Sequence, residues 1–206
     1  MYVVILGGTP GTGKTSVARR LSQELDCAYV NATDLLRDVD GLAHDPTGRL
    51  TMLATDEGLE RASRLLIERA KRKCIILDTV FPREWFDHLE YYVATVVLLR
   101  CNPVALMKRL SKRDWPLDKV VENALAEAFG IIAESLLDIS YDVIEIDTTS
   151  TSPMEAVSRV FGKLLDWETG IKIDWLADPQ VESAVIEWSL RLDRDKYRLG
   201  VGGRLK

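Results

Sequence analysis

The chain has 206 residues, 47% of them hydrophobic and 29% charged, with a formal net charge of −5. That balance fits one globular α/β domain with an appendage and excludes wholesale nucleic-acid binding, leaving room only for a local basic patch. No apolar run is long enough to span a bilayer, and a start that passes straight into a strand pattern leaves no room for a signal peptide. Cys27, Cys74 and Cys101 are odd in number and far apart, with no C-x-x-C. They read as small buried hydrophobes in a reducing compartment, cytoplasmic or (in a eukaryote) nuclear, and not as disulfides or a zinc site. His44 and His88 have no metal-ligand spacing, which argues against histidine-based catalysis.

Strand and helix patterns alternate from the first residue. An apolar run over 2–6 leads into Gly8-Thr9-Pro10-Gly11-Thr12-Gly13-Lys14-Thr15, the full phosphate-loop spacing, and a helix is predicted over 14–25. In that strand-loop-helix context each residue type has a reason. A polyphosphate must rest on backbone N–H groups, and the glycines let the backbone come close. The helix start offers unpaired N–H groups and the positive end of its dipole. Lys14 can reach the β and γ phosphates, and the Thr15 hydroxyl can ligate Mg²⁺.

A short strand follows at 28–31 and a short helix at 33–37, with Asn31 or Thr33 as N-cap. Residues 40–51 carry Gly41, Pro46 and Gly48 and read as a loop. A helix over 56–73 ends in a cationic run at 71–73. Residues 74–77 form a continuous apolar strand of the kind buried on both faces of a parallel sheet, and it ends in Asp78. Another strand is predicted at 92–99, then helices at 103–111 and 118–137, a last strand at 141–146 and a helix at 153–167 opened by Pro153. The final part divides from a 1–167 domain as an extension over 168–206: a helix at 179–192 and a basic tail, 191–206, that reads as a solvated, disordered end. The pattern predicts a parallel sheet covered by helices on both faces.

Two further features carry chemistry. Phosphoryl transfer needs Mg²⁺ held between the loop hydroxyl and a strand-end carboxylate, often through water, and Asp78 fits that role beside Thr15. Arg109 and Arg113 lie four apart, on one helical face, and guanidinium groups stabilise charge spread over a transferred phosphoryl group. A solvated basic face explains the same spacing equally well. The absence of an N-K-x-D box weighs against a GTPase, and the chain is short for a motor ATPase.

Four segments, GGTPGTGKTS, YVNATDLLRD, ILDTVFPREWF and LLRCNPVALMKRLSKRDWPLDKVVENALAEAF, resemble the atypical nuclear and archaeal adenylate kinases linked to small ribosomal subunit maturation. The resemblance runs over about 2–167. It implies a phosphate-loop NTPase fold, a three-layer sandwich on a five-stranded parallel sheet, with a short lid at about 112–122 and a nucleoside-monophosphate flap at about 31–54. It implies Mg²⁺-dependent conversion of ATP and AMP to two ADP, with ATPase activity as a second output. Carried over by position, Gly11, Gly13, Lys14, Thr15, Ser16 and Arg113 bind ATP. Lys14, Arg109 and Arg113 serve catalysis, Asn31, Asp34 and Arg37 bind AMP, and Thr15 with Asp78 holds Mg²⁺. Trp115 stands where the family has an aromatic residue, near the adenine or as a helix-end anchor.

The family's Asp-x-His is here Asp78-Thr79-Val80. Transfer to an anionic acceptor needs no general base, so this departure predicts surviving kinase chemistry with weak hydrolysis. The resemblance also implies partners: a small-subunit ribosomal protein and pre-rRNA, but no membrane. Two alternatives follow. One is an ATP-gated assembly factor for the small ribosomal subunit. The other is a kinase for another small acceptor, with Asp34 as the candidate base.

Overall fold

A computed structural model describes residues 1–44, 52–70, 73–139 and 143–201. Strand β1 (Tyr2–Gly8) leads through the glycine-rich loop into helix α1 (Lys14–Glu24), and β2 (Ala28–Asn31) leads into α2 (Ala32–Asp38). A small hairpin, β3 (Leu42–His44) and β4 (Met52–Ala54), precedes α3 (Asp56–Arg69). Then come β5 (Cys74–Asp78), α4 (Pro82–Leu89), β6 (Val93–Arg100), α5 (Pro103–Leu110), α6 (Leu117–Ala128), α7 (Ile131–Glu134), β7 (Val143–Asp147), α8 (Pro153–Leu165) and α9 (Pro179–Val201).

The main sheet has five strands in the order β2-β5-β1-β6-β7, all parallel. Alternation along β1 decides the layers, because successive side chains leave opposite faces of a strand. Val4 and Leu6 pack with Val17, Leu21, Val157 and Val160 from α1 and α8. Val3 and Ile5 pack with Leu36, Leu59, Leu66 and Trp85 from α2, α3 and α4. The parallel sheet covered on both faces is therefore as the pattern predicts, and its five strands are as the resemblance implies. Strand β1 is central, and the chain turns to β2 and β5 on one side of it and β6 and β7 on the other. The loop after β1 thus lies at the switch point of the sheet, where open α/β folds bind ligands.

Several local expectations need correction. The single helix expected over 118–137 is two. Helix α6 ends at Ala128, and Gly130 adopts φ +65°, a left-handed conformation that closes a helix end. The loop expected over 40–51 contains β3, which pairs with β4 in antiparallel register; residues 45–51 lie outside the described residues, as do two of the three residues of the cationic run at 71–73. Helix α4 went unforeseen. Its signals are Pro82 in the first turn and the apolar spacing Trp85, Phe86, Leu89, all buried. The tail is helical rather than disordered as far as Val201, and residues 202–206 lie outside the described residues. Its helix is anchored, because Val181, Val185 and Trp188 bury themselves against Val121, Ala124 and Ala128 of α6.

All three cysteines are buried and Cys101 is free, as the sequence reading has it, but that reading fails for the other two. Cys27 and Cys74 form a disulfide across a Cα–Cα distance of 4.9 Å. Strands β2 and β5 are neighbours with Ala28 opposite Ile75, so the residues just before them meet. A separation of 47 residues hides this pairing until the strand order is known. The argument for a reducing compartment from unpaired cysteines loses its premise. Among the described residues no helix is long and apolar enough to cross a membrane.

Candidate active site

The loop between β1 and α1 is shaped by its glycines. Gly11 has φ +94°, and a Cβ there would lie 2.8 Å from side-chain carbons of Leu106 and Leu110. Only glycine satisfies both the conformation and the close approach to α5. Thr12 closes the turn, its N–H and its hydroxyl both donating to the Thr9 carbonyl at 3.2 and 2.9 Å. Gly13 caps α1 with no side-chain acceptor and no acidic residue in the first turn, so the helix start keeps its amides and its positive end for an anion.

Lys14 folds back over this turn. Its Nζ donates to the carbonyls of Gly8 at 2.7 Å and Thr9 at 3.2 Å. Burial pushes the ammonium down to about 8, against the pull of the Asp78 and Glu127 carboxylates and with a smaller push from Arg113. A bound polyphosphate would supply a countercharge in direct contact, where Nζ now meets two neutral carbonyls.

Asp78 ends β5 opposite Leu6 of β1 and is buried. The Thr15 hydroxyl donates to its Oδ2 at 2.7 Å. The Tyr29 hydroxyl donates to the same oxygen at 3.0 Å, while the Arg19 guanidinium lies 4.8 Å from the Tyr29 ring centre. Thr15 and Asp78 together are hard oxygen donors at the rim of the phosphate loop, a fit for Mg²⁺, which is usually bound by one or two carboxylates plus substrate phosphates. Among the described residues no group of three or more His, Cys, Asp or Glu side chains could hold a metal without such a substrate.

One cleft of about 330 Å³ joins these parts. It is lined by Gly11, Gly13, Lys14, Thr15 and Ser16 of the phosphate loop and the start of α1, by Asp78, Thr79 and Val80 at the end of β5, and by Asn31, Thr33, Arg113 and Trp115. Lys119 and Arg113 both lie over the Trp115 ring, at 4.4 and 5.0 Å from its centre.

The other candidates sit elsewhere. Asp34 and Arg37 do not line this cleft; they form an exposed ion pair at 2.7 Å, while the Asn31 side chain caps α2 through the Asp34 N–H. Arg109 faces the back of the loop. It donates to the carbonyls of Thr148 and Thr149 at 2.7 Å each and of Gly11 at 3.4 Å, so it ties the loop after β7 to the phosphate loop. Sequence reasoning missed Tyr29, whose role depends on β2 lying beside β5, and Glu127, one charge among several on an amphipathic helix.

A parallel sheet with a glycine cradle at its switch point defines a phosphate-loop NTPase-type α/β domain. A family model described as AAA domain matches residues 4–130, and the chain belongs to that family. A protein of Pyrococcus furiosus named "Putative adenylate kinase" is 31% identical over 180 residues, covering 84% of this chain and 91% of the relative. A relative of the same name from Thermococcus onnurineus is 28% identical over 202 residues, covering 97% of this chain and 98% of its own. Among solved structures, the shikimate kinase of Acinetobacter baumannii in complex with shikimate has a TM-score of 0.55 at 14% identity, covering 82% of this chain and 95% of that one. At that identity the likeness shows the fold alone.

Proposed function

We propose that this protein is a nucleotide kinase of the adenylate kinase type, transferring the γ-phosphoryl group of ATP to AMP with Mg²⁺. The observation that carries the reading is the Thr15–Asp78 pair set beside Lys14 over the glycine cradle, and the names of the archaeal relatives support it. Lys14 and the amides of the loop and Ser16 hold the triphosphate. Thr15 and, through water, Asp78 hold the ion, which supplies charge neutralisation across the phosphates. Arg113 lines the same cleft, where its planar cation can meet the charge that spreads over the transferred group. Asn31, Asp34 and Arg37 bind AMP once the flap moves Arg37 away from Asp34, and Arg109 serves catalysis by fixing the loop from behind. The assembly-factor reading gains no support from relatives that carry a kinase name.

Val80 lines the cleft where the resemblance calls for histidine. An isopropyl group can neither orient nor deprotonate a water, whereas an AMP phosphate arrives already anionic. ADP formation from ATP is therefore expected to be fast with AMP and slow with no acceptor, in one initial-rate series. Acceptor-free hydrolysis as fast as AMP phosphorylation contradicts this reading.

Tyr29 holds the metal-facing carboxylate, and partners of this kind set ligand orientation at some cost when removed. Tyr29→Phe is expected to raise the Mn²⁺ concentration for half-saturation of the ATP complex by about tenfold, measured by electron paramagnetic resonance. Metal-free ATP affinity is expected to stay within about twofold, because the change lies on the carboxylate and not on the loop. Unchanged metal affinity assigns the hydroxyl to packing alone.

A further inference from the structure

Behind the phosphate loop lies a buried charge network that no part of the transfer chemistry uses directly. Its centre is Glu127 of α6, only 2% exposed. One oxygen, Oε2, accepts from the Thr9 hydroxyl at 2.5 Å. The other accepts from Arg100 Nε at 2.8 Å, the Cys101 N–H at 3.1 Å and the Trp175 indole N–H at 3.0 Å. Arg100 in turn donates to Glu145 Oε1 at 2.8 Å. The second oxygen of Glu145 accepts from the backbone N–H groups of Lys172 and Ile173 at 2.7 and 2.9 Å.

The direction of this network is informative. Residues 172–175 follow α8, and they reach the phosphate loop through the backbone N–H groups of Lys172 and Ile173 on Glu145 and through the Trp175 indole on Glu127. We propose that Glu127 is a positioning residue for the phosphate loop and that Trp175 acts on nucleotide binding through it. Thr9 is the link. Its hydroxyl is held by Glu127, and its carbonyl accepts from Lys14 Nζ and from both donors of Thr12. Fixing Thr9 therefore fixes the turn of the loop whose backbone amides receive the phosphates.

Glu127 needs its full set of donors to stay aimed. A buried carboxylate short of a donor reorients towards those that remain. Without the indole N–H, Oε1 keeps only Arg100 and Cys101 as donors, and the carboxylate holds Thr9 less firmly. The effect reaches the turn of the phosphate loop with no substitution at Lys14, Thr15 or Asp78.

This inference rests on the phosphate loop binding ATP, and the test separates the two. ATP affinity by titration calorimetry and melting temperature are measured on the full chain for wild type, Trp175→Phe, Thr9→Val, Thr9→Ser and the double variant Trp175→Phe/Thr9→Val. Trp175→Phe keeps a ring and removes the donor; Thr9→Val removes the hydroxyl at similar size, and Thr9→Ser restores it. The expected result is an ATP affinity about tenfold weaker in Trp175→Phe and in Thr9→Val, with Thr9→Ser near wild type. In the double variant the two losses do not multiply, because both act through one carboxylate. A lower melting temperature with unchanged affinity in Trp175→Phe overturns the proposal, and so do losses that multiply. Should Trp175→Phe fail to fold, equal affinities in Thr9→Val and Thr9→Ser overturn it on their own. A wild-type chain that does not bind ATP brings down the nucleotide reading itself, and this inference with it.

Discussion

Lys14→Ala is expected to lower phosphoryl transfer by about 10³-fold and to remove most of the ATP affinity. The size of the effect follows from where the lysine sits. It is nearly buried, its ammonium is held by two loop carbonyls, and burial has already brought it down to about 8. A cation in that position gains most from an incoming polyanion, since a dry, low-dielectric site strengthens the attraction. The same substitution also removes two hydrogen bonds from the loop, so Lys14→Met, which keeps the stem, belongs in the same experiment. Both variants should lose activity together while Lys14→Met keeps the wild-type melting temperature more closely. Steady-state rates with ATP and AMP, alongside calorimetric ATP titration, read the outcome. Retention of a tenth or more of wild-type turnover in Lys14→Met removes the lysine from the mechanism.

Arg113→Ala is expected to act differently, cutting kcat by about 10³-fold and weakening ATP binding by no more than about threefold. The guanidinium lines the cleft and rests against the Trp115 ring, 5.0 Å from its centre. It is close enough to Lys14 to push that ammonium down slightly. An arginine held on an aromatic face is free to swing onto a phosphoryl group as charge builds, a contact stronger in the transition state than in the ground state. Equal losses in kcat and in ATP affinity make Arg113 a binding residue for the ground state instead.

The parts of the fold legible in the sequence are those whose signal is contiguous. The phosphate loop carries its spacing in eight consecutive residues, and β5 announces itself as an apolar run ending in Asp78. The alternation of such runs with amphipathic segments predicts the layered sheet. What the sequence hides are relations between segments. The Cys27–Cys74 disulfide and the Tyr29 hydroxyl on Asp78 both require β2 to lie beside β5, and strand order leaves no local mark. Glu127 looks like any solvated helix carboxylate until α6, β6 and residues 172–175 close around it. Gly130 does break α6 from α7, yet a lone glycine within a helical pattern is often tolerated. Helix α4 is as short as α5 and carries the same kind of signal, a proline in the first turn and an apolar spacing, so its omission is a failure of the reading and not of the sequence.

The site shows the same division. Lys14, Thr15, Asp78 and Arg113 come together in one cleft. Arg109 instead braces the loop from behind, and Asp34 and Arg37 pair on the surface of α2. The spacing of four predicts one helical face for both arginines, but α5 ends at Leu110, so Arg113 lies beyond the helix and the two side chains part.

The most direct measurement is a crystal structure of the full chain grown with Mg²⁺ and a non-hydrolysable ATP analogue. The β and γ phosphates should lie in the cradle between Gly11 and Thr15 with Lys14 Nζ turned onto them, and the ion should sit on Thr15 Oγ1 with Asp78 linked to it through water. A nucleotide bound elsewhere, or a cradle still closed by the Lys14 contacts to Gly8 and Thr9, contradicts the account.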